Sequence, residues 1–366
     1  MLRAGIVGLP NIGKTTLFNA VTAQSSAVIA NYAFSTSKPN VGVVTVPDER
    51  LAPLAVIVKT KVIVPASVEF VDIAGLVRGS SKGEGLGNQF LASIRETDTM
   101  IQVVRCFEDE NIVHVDGAID ARRDIETIQI ELALADLATI ERRRERVQKT
   151  AKSGEKVARA ELEVLDKLQP ALEEFQPAKS VSLSEDERAI ARNYFLLTMK
   201  PTIYAANVNE AALSAPSDNE NLRAIREVAA SEGSECIVIC AQLEADLVGL
   251  APEERREYLE SLGVRSSGVD QLIQSAYRVL GLMSFLTAGE KEVRAWTIPQ
   301  GSRAQDAAGA IHSDIARGFI RAEIVSYEGL LGAGSYATAR ERGLLRLEGK
   351  DYIMQEGDVV HFRFNV

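Results

Sequence analysis

The sequence predicts an α/β domain that is interrupted by a long helical hairpin and followed by a small α+β domain. Three observations support this prediction. Short apolar strand patterns are followed by helical patterns on both sides of the segment 121–200, that segment itself has apolar residues at helical spacing, and the final part of the chain mixes short strands with one helix. We therefore expect an α/β domain at 1–120 and 201–280, a helical insert at 121–200 and a C-terminal domain at 281–366.

The composition is that of a soluble globular protein. The chain has 366 residues, of which 46% are hydrophobic and 25% are charged. It contains no apolar run long enough for a membrane span and enters a strand directly at its N-terminus, so we predict neither a membrane segment nor a signal peptide. Its three cysteines lack metal-ligand or disulfide spacing, which favours reduced thiols in the cytoplasm. A net charge of −10 restricts nucleic-acid contact to a local basic patch.

The first motif is a glycine-rich loop, which follows the apolar run 2–7 and precedes the helical run 16–22. It reads G-x-x-x-x-G-K-T, and this strand–loop–helix context gives the pattern its meaning as a phosphate-binding loop. Backbone N–H groups and the helix dipole attract phosphate there. We expect Lys14 to reach the β- and γ-phosphates and the Thr15 hydroxyl to bind Mg²⁺. The predicted nucleotide contacts in this loop are Gly8, Asn11, Ile12, Gly13, Lys14, Thr15 and Thr16.

Two later segments have the pattern of nucleotide-sensing switches. Thr36 lies in a loop after the first helix, where its oxygen atoms would sense Mg²⁺ and the γ-phosphate. The strand 67–72 ends in Asp72, and Asp72 and Gly75 form a D-x-x-G motif. We expect Asp72 to bind Mg²⁺ through water and the Gly75 N–H to meet the γ-phosphate.

The next residue, Leu76, bears on catalysis. Many small GTPases have a glutamine there, which orients the attacking water, whereas leucine cannot hydrogen-bond a water molecule. We therefore predict hydrolysis that is slow or differently arranged. His114, in the acidic loop 108–117, has two interpretations. It is either a loop histidine paired with a nearby acid, or a catalytic group that reaches the γ-phosphate and supplies the polar group that Leu76 lacks.

The segment 121–200 contains two helical runs, which are separated by a break at 152–154. This pattern predicts an antiparallel helical hairpin, and thirty helical residues would extend about 45 Å. Eight basic and two acidic residues near its tip give a local charge of +6. A solvated helix face and an RNA contact both explain such a run. The ten residues are Arg142, Arg143, Arg144, Arg146, Lys149, Lys152, Lys156 and Arg159, with Glu145 and Glu155.

A predicted strand at 201–207 leads into the sequence Asn-Val-Asn-Glu, where a guanine-reading domain would have N-K-x-D. Asn207 can hydrogen-bond the N7 edge of either purine. Val208 replaces the lysine that stacks on the base, and Glu210 is one methylene longer than the aspartate that pairs with guanine N1 and N2. We therefore predict that Asn207, Val208 and Glu210 hold the base, but without strict guanine selection. Residues 241–244, after the next strand, occupy the position of the last base-contacting loop.

Together these motifs resemble the YchF/Obg-like ATPase family, and the similarity extends over essentially the whole chain. Besides the motifs above, the similar strings include Arg294–Gly301 and Gly357–Val366. The resemblance implies a Ras-like P-loop NTPase domain with an inserted antiparallel coiled coil and a C-terminal TGS domain of β-grasp fold. It also implies a preference for ATP over GTP, association with ribosomes, and a hydrophobic residue in place of the catalytic glutamine. Ala33 and Ser35 depart from the proline and cysteine usual in the family.

These observations lead us to expect a monomeric Mg²⁺-dependent switch that binds and slowly hydrolyses ATP, and GTP less well. Its expected partner is the ribosome, either the large subunit or a 70S-type particle, with RNA contact through the basic helical arm or the TGS domain. Two alternatives stay open. One is a GTP-specific regulatory GTPase, and the other is a nucleotide-dependent scaffold without significant turnover.

Overall fold

The computed structural model describes residues 2–23, 39–73, 86–109, 112, 117–152, 155–214, 219–264 and 266–365. The chain divides into two compact units. The first contains Met1–Val43 and Glu69–Leu272, and the second contains Val44–Val68 and Ile273–Val366. Within the described ranges, no helix is both long enough and apolar enough to cross a bilayer.

Strands and helices alternate over much of the chain. The strands are β1 (Arg3–Val7), β2 (Asn40–Thr45), β3 (Ile63–Val64), β4 (Ser67–Asp72), β5 (Thr99–Arg105), β6 (Thr202–Asn207), β7 (Glu235–Ile239), β8 (Leu282–Ala288), β9 (Val293–Pro299), β10 (Phe319–Ser326), β11 (Arg346–Glu348) and β12 (Asp358–Phe364). The helices are α1 (Lys14–Ala23), α2 (Leu51–Val58), α3 (Leu86–Arg95), α4 (Ala121–Lys152), α5 (Lys156–Glu173), α6 (Glu185–Arg192), α7 (Glu210–Ser214), α8 (Glu220–Glu232), α9 (Ala241–Asp246), α10 (Pro252–Ser261), α11 (Gly268–Val279), α12 (Ala304–Ile311), α13 (Ser313–Arg317), α14 (Tyr327–Ala333) and α15 (Tyr336–Glu341).

The first sheet has the strand order β2-β4-β1-β5-β6-β7. Strands β4, β1, β5, β6 and β7 pair in parallel. Both β5 and β6 are buried along their whole length, as expected for parallel strands that are covered on both faces. Parallel pairing brings the carboxyl ends of these strands to one edge of the sheet, which is where ligands bind in open α/β folds. The loops after Val7, Asp72, Arg105 and Asn207 therefore begin at that edge.

A pair of packed helices follows β5. Helix α4 has 32 residues and so extends about 48 Å, while α5 has 18 residues. Residues near the end of α4 contact the start of α5, and earlier residues of α4 contact later ones of α5, so the two helices are antiparallel. The predicted helical hairpin is confirmed. Apolar side chains of both helices form its core, among them Ala133, Ile140, Val164, Leu165, Leu168 and Leu172.

Acidic residues of α5 partly neutralise the basic run on α4. Arg143 forms an ion pair with Glu161, and Arg144 forms one with Asp166, in which Nη2 lies 2.8 Å from Oδ1. Neither acid belongs to the stretch of sequence around the tip from which the charge of +6 was counted. The surplus positive charge is therefore smaller than the sequence count indicates, because the partner helix supplies counter-charges.

The second sheet has the strand order β11-β10-β12-β8-β9-β3. Its neighbours β10/β11, β10/β12 and β8/β9 are antiparallel, whereas β12/β8 and β3/β9 are parallel. A cluster that includes Phe285, Ala308, Ile324 and Phe362 packs α12 against one face of the sheet. The small α+β arrangement predicted for the end of the chain is confirmed.

Two local features differ from the sequence-based prediction. The sequence pattern predicts one continuous helix over 304–315, which is wrong, because His312 adopts an extended backbone with φ −163° and ψ 142° between α12 and α13. Its Nδ1 accepts a hydrogen bond from the Asp314 backbone N–H at 3.2 Å and so caps α13. The second difference is β3, which adds a short parallel edge to the second sheet although it lies far from β9 in the sequence.

Candidate functional site

The loop between β1 and α1 has two backbone positions that require glycine. The angle φ is +154° at Gly8 and +93° at Gly13. A Cβ on Gly8 would lie 2.3 Å from Ile12 Cδ1, and a Cβ on Gly13 would lie 2.4 Å from Asn207 Nδ2. No other residue type fits without displacing these neighbours. The loop can therefore turn directly into α1, whose first N–H groups have no helical acceptors and so form an anion-binding site.

Lys14, the first residue of α1, lies across this loop. Its side chain is buried, and Nζ donates a hydrogen bond to the Leu9 carbonyl oxygen at 2.6 Å. Burial lowers the pKa of Lys14 to about 8, and the nearby Asp72 carboxylate opposes that shift. The ammonium is thus protonated at neutral pH but poorly solvated. A buried cation of this kind gains more from a phosphate oxygen than a solvated surface lysine does.

The side chains of Thr15 and Asp72 place two oxygen atoms close together near Lys14. The Thr15 hydroxyl donates to Asp72 Oδ2 at 3.3 Å, which links the start of α1 to the end of β4. Burial raises the pKa of Asp72, while the Lys14 charge and hydrogen bonds from Thr15 and Asn40 oppose the rise. Mg²⁺ prefers oxygen ligands and commonly uses one or two carboxylates together with phosphate oxygens and water. Hydroxyl and carboxylate oxygens at this spacing fit that ion.

Asn207, at the end of β6, joins two loops through its amide group. Nδ2 donates to the Ile12 carbonyl oxygen at 2.9 Å, and Oδ1 accepts from the Ala241 N–H at 3.0 Å. The side chain is only 4% exposed. An asparagine amide has two donors and two acceptor lone pairs, so one donor and one lone pair remain. Asn207 therefore fixes the phosphate loop to the start of α9 and keeps capacity for one further partner on each amide atom.

The residues after Asn207 have separate roles. The Val208 side chain is 1% exposed and packs in a core cluster with Leu222 and Ile225. A lysine at position 208 would therefore enter that core. Glu210 begins α7, and its Oε1 accepts a hydrogen bond from the Tyr258 hydroxyl at 3.0 Å. Tyr258 is 48 positions away in the sequence, and no local pattern connects it to this site.

A cavity of about 740 Å³ lies beside these groups, entirely within the first unit. Its volume is suitable for a small-molecule cofactor or nucleotide. The phosphate loop forms one end of the cavity, and the loops after β5, β6 and β7 form the rest. Of the predicted site residues, Asn11, Gly13, Thr16, Asn207, Val208 and Glu210 line it.

Comparisons with known proteins identify the family of the chain. A family model described as 50S ribosome-binding GTPase matches residues 3–132, and the model YchF-GTPase_C, described as a protein of unknown function, matches residues 282–365. The Ribosome-binding ATPase YchF of Bacillus subtilis is 54% identical over 100% of both chains. The Ribosome-binding ATPase YchF of Escherichia coli O157:H7 is 52% identical over 100% of this chain and 99% of the relative. The chain belongs to the YchF family. The solved YchF GTPase of Schizosaccharomyces pombe matches 99% of this chain and 97% of its own, with 36% identity and a TM-score of 0.87.

Several predicted site residues of this YchF-family chain lie outside the described residues. They are Thr36, Gly75, Leu76 and His114. Their assignments as metal ligand, phosphate contact, glutamine replacement and catalytic group remain predictions. Of the predicted site, the structure therefore describes the loop between β1 and α1, Asp72, Asn207, Val208 and Glu210.

Arg105, at the end of β5, supports the cavity wall and has no role in the predicted site. It is 2% exposed, and its guanidinium donates to the carbonyl oxygens of Phe107 and Ile112, both at 3.0 Å. A third bond reaches the Asp109 carbonyl at 3.4 Å, and the guanidinium lies 4.7 Å from the Phe107 ring centroid. These contacts hold the segment after β5 at the cavity of the YchF-family site. Two sequence signals pointed to it: a charged residue at the end of an apolar strand, and the string Arg105–Asp109, which resembles the YchF/Obg-like family.

Proposed function

We propose that the chain is a Mg²⁺-dependent nucleotide switch that binds and slowly hydrolyses ATP, and GTP less well, and that associates with the ribosome. The observation that supports this most strongly is the contact between Thr15 and Asp72 beside the buried Lys14 ammonium. These three groups lie at the carboxyl edge of a parallel sheet, next to a cavity of nucleotide size. Charge and oxygen ligands are thus concentrated where a triphosphate and its metal would bind.

Each described residue has a role in this proposal. Lys14 binds the β- and γ-phosphates, the loop N–H groups surround them, and Thr15 and Asp72 hold Mg²⁺, the latter through water. Bound Mg²⁺ would neutralise charge on the phosphate oxygens during transfer. We further propose that Thr36 completes the metal site, that Gly75 contacts the γ-phosphate, and that His114 supplies the polar group that Leu76 lacks. Hydrolysis would be slow, because few groups would orient the attacking water molecule.

The base side supports selection of adenine rather than guanine. Asn207 is fixed by two backbone groups, so it presents the same remaining donor and acceptor to either purine. Tyr258 orients Glu210, and we expect its longer side chain to place the carboxylate away from the position from which an aspartate pairs with guanine N1 and N2. A site that leaves guanine donors unpaired discriminates against that base.

We expect ATP to bind more tightly than GTP in equilibrium titrations with Mg²⁺ present. Glu210→Asp should shift the preference partly towards GTP, and Tyr258→Phe should weaken base selectivity about 2- to 10-fold, since it removes one hydrogen bond. Glu220→Asp is the matched control, because Glu220 likewise begins a helix, α8, but does not line the cavity. Equal or tighter binding of GTP by the unaltered protein would contradict the ATP proposal and favour the GTPase alternative.

The proposed partner follows from the relatives, several of which are named ribosome-binding ATPases. We also propose a cytoplasmic monomer with an NTPase domain at 1–120 and 201–280, a coiled-coil insert at 121–200 and a TGS domain at 281–366. The insert and the TGS domain are the candidate ribosome contacts, through the large subunit or a 70S-type particle.

Single-turnover hydrolysis of ATP, with and without ribosomes, separates the enzyme from the scaffold alternative. We expect measurable turnover by the protein alone, and co-sedimentation with ribosomes that depends on the bound nucleotide. Binding of ATP without turnover under both conditions would favour a scaffold. Absence of co-sedimentation with either nucleotide would contradict the ribosome part of the proposal and leave the nucleotide part intact.

A further inference from the structure

A second cavity in the first unit has a composition unlike that of the nucleotide site. Its volume is about 550 Å³, and it lies between the end of α3, one face of α4 and the turn after α6. Positions 139, 142, 143 and 146 of α4 all face it, as their helical spacing requires. We call it the arginine pocket, and its lining residues are Arg95, Thr139, Arg142, Arg143, Arg146, Asn193, Tyr194 and Phe195.

The arginine pocket has a surplus of positive charge. Arg143 is paired with Glu161. Among the described residues, no carboxylate lies within ion-pair distance of Arg95, Arg142 or Arg146. Arg95 donates to the Thr139 hydroxyl and Arg142 to the Ala138 carbonyl oxygen. Each guanidinium has five N–H donors, so most donors in the pocket have no acceptor in the described part of the chain and can bind an anion.

Phe195 presents an aromatic ring beside these guanidinium groups. It is 70% exposed and has φ +51°, a left-handed conformation that is strained for a bulky side chain. Phe175 has a similar φ of +57° at the end of α5, but its ring is only 42% exposed. Phe195 therefore has backbone strain with little burial to offset it. Strain of this kind is often retained where a side chain serves binding.

Hydrogen bonds to a buried carboxylate of α4 anchor the turn that carries Phe195. Asp136, on α4, is fully buried and accepts hydrogen bonds from the backbone N–H groups of Leu197 and Thr198 and from the Thr198 hydroxyl, each at 2.8 Å. The same side chain thus fixes the turn to the helix that supplies three of the arginines. The backbone beside Phe195 is therefore already ordered relative to α4, which reduces the entropy lost on binding.

We propose that the arginine pocket binds an unpaired nucleotide of single-stranded RNA, with the base stacked on Phe195 and the flanking phosphates on Arg95, Arg142 and Arg146. Exposed aromatic rings next to cationic side chains are the usual means of binding single strands. A protein partner is less suited to the pocket, because all the charged side chains that line it are arginines, which favours a polyanion. The inference refines the ribosome association in the proposed function, but it does not depend on nucleotide hydrolysis.

The ring is tested by fluorescence anisotropy of the full chain with a labelled single-stranded RNA of about 12 nucleotides, and with the same sequence as a blunt duplex. We expect tighter binding of the single strand, and a loss of about fivefold or more in Phe195→Ala, Phe195→Leu and Phe195→Gly. Phe195→Tyr should bind normally, since it keeps a stacking face. Phe195→Gly should also raise the thermal midpoint, because glycine adopts the left-handed backbone without strain. Phe175→Ala is the matched control and should bind RNA as the unaltered protein does.

The arginines are tested through salt dependence. Arg146→Ala should lower the slope of log affinity against log salt by about 0.7, the contribution of one phosphate contact to a single strand. Arg256→Ala removes the same charge from the exposed face of α10, outside both the pocket and the basic run, and should leave the slope unchanged. Equal binding of duplex and single strand, or equal effects of the pocket and control variants, would overturn the proposal.

Two further outcomes are decisive. If Phe195→Ala loses ribosome binding while its affinity for the oligonucleotide is unchanged, the pocket binds a protein and the proposal is wrong. ATP titrations on the same samples separate this inference from the proposed function. Loss of RNA binding by the pocket variants with normal ATP affinity supports the pocket. Failure of the unaltered protein to bind RNA while it binds ATP overturns only the pocket, whereas RNA binding without ATP binding overturns only the nucleotide assignment.

Discussion

Lys14→Ala is expected to lower the affinity for ATP about 100-fold, which corresponds to the loss of two charge-assisted hydrogen bonds of about 1.5 kcal/mol each. Single-turnover hydrolysis should fall at least as far, because the same ammonium would neutralise charge on the transferred phosphoryl group. Isothermal titration calorimetry with Mg²⁺ and ATP measures the first effect, and rapid-quench kinetics measures the second.

Folding should survive this substitution. Burial lowers the pKa of Lys14 to about 8, so below that pH the folded state holds a cation that would be better solvated in the unfolded chain. Alanine removes this cost, and the thermal midpoint should stay unchanged or rise. Lys156→Ala is the matched control, because Lys156 is the first residue of α5 but is exposed and lies outside the cavity. Unchanged ATP affinity in a folded Lys14→Ala variant would rule out the phosphate assignment.

Asp136→Ala is expected to lower the free energy of unfolding of the first unit by about 3 kcal/mol. It removes three hydrogen bonds of about 1 kcal/mol each and leaves the buried N–H groups of Leu197 and Thr198 without an acceptor. Urea unfolding followed by circular dichroism measures the total effect. Hydrogen exchange of the Leu197 and Thr198 amides locates it, since their protection should fall first.

Two companion variants make the Asp136 result specific. Asp136→Asn keeps the shape of the side chain but places an N–H group opposite a backbone donor, so its cost should be intermediate. Glu141→Ala changes an exposed acid on the same helix and should alter stability by no more than about 0.5 kcal/mol. A cost for Asp136→Ala as small as that of Glu141→Ala would show that the buried carboxylate does not hold the turn.

The elements that the sequence predicted well are those defined by neighbouring residues. The glycine loop, its flanking strand and helix, the strand ending at Asp72 and the helical hairpin all have their pattern within a short stretch of chain. Hydrophobic periodicity and glycine positions suffice there, because the hydrogen bonds of a helix and the tight turn of the loop are local.

Contacts between distant segments could not be predicted in the same way. The bond from Tyr258 to Glu210, the carbonyl contacts of Arg105 and the pairing of β3 with β9 all depend on how the chain folds back on itself. Nor does any periodicity show that Val208 points into the core. The break at His312 was missed for a different reason. A side-chain cap replaced a helical hydrogen bond within a segment whose apolar spacing continued through it.

The two amide bonds of Asn207 have a consequence for the geometry of binding. Because one side chain connects Ile12 to Ala241, the loop at one end of the cavity and the loop at the other cannot move apart independently. The distance between the two ends is therefore set by one side chain of the protein itself. A ligand that spans the cavity can contact the loops at both ends without rearranging either of them, as in chelation. Two separate fragments would each lose their own translational freedom on binding.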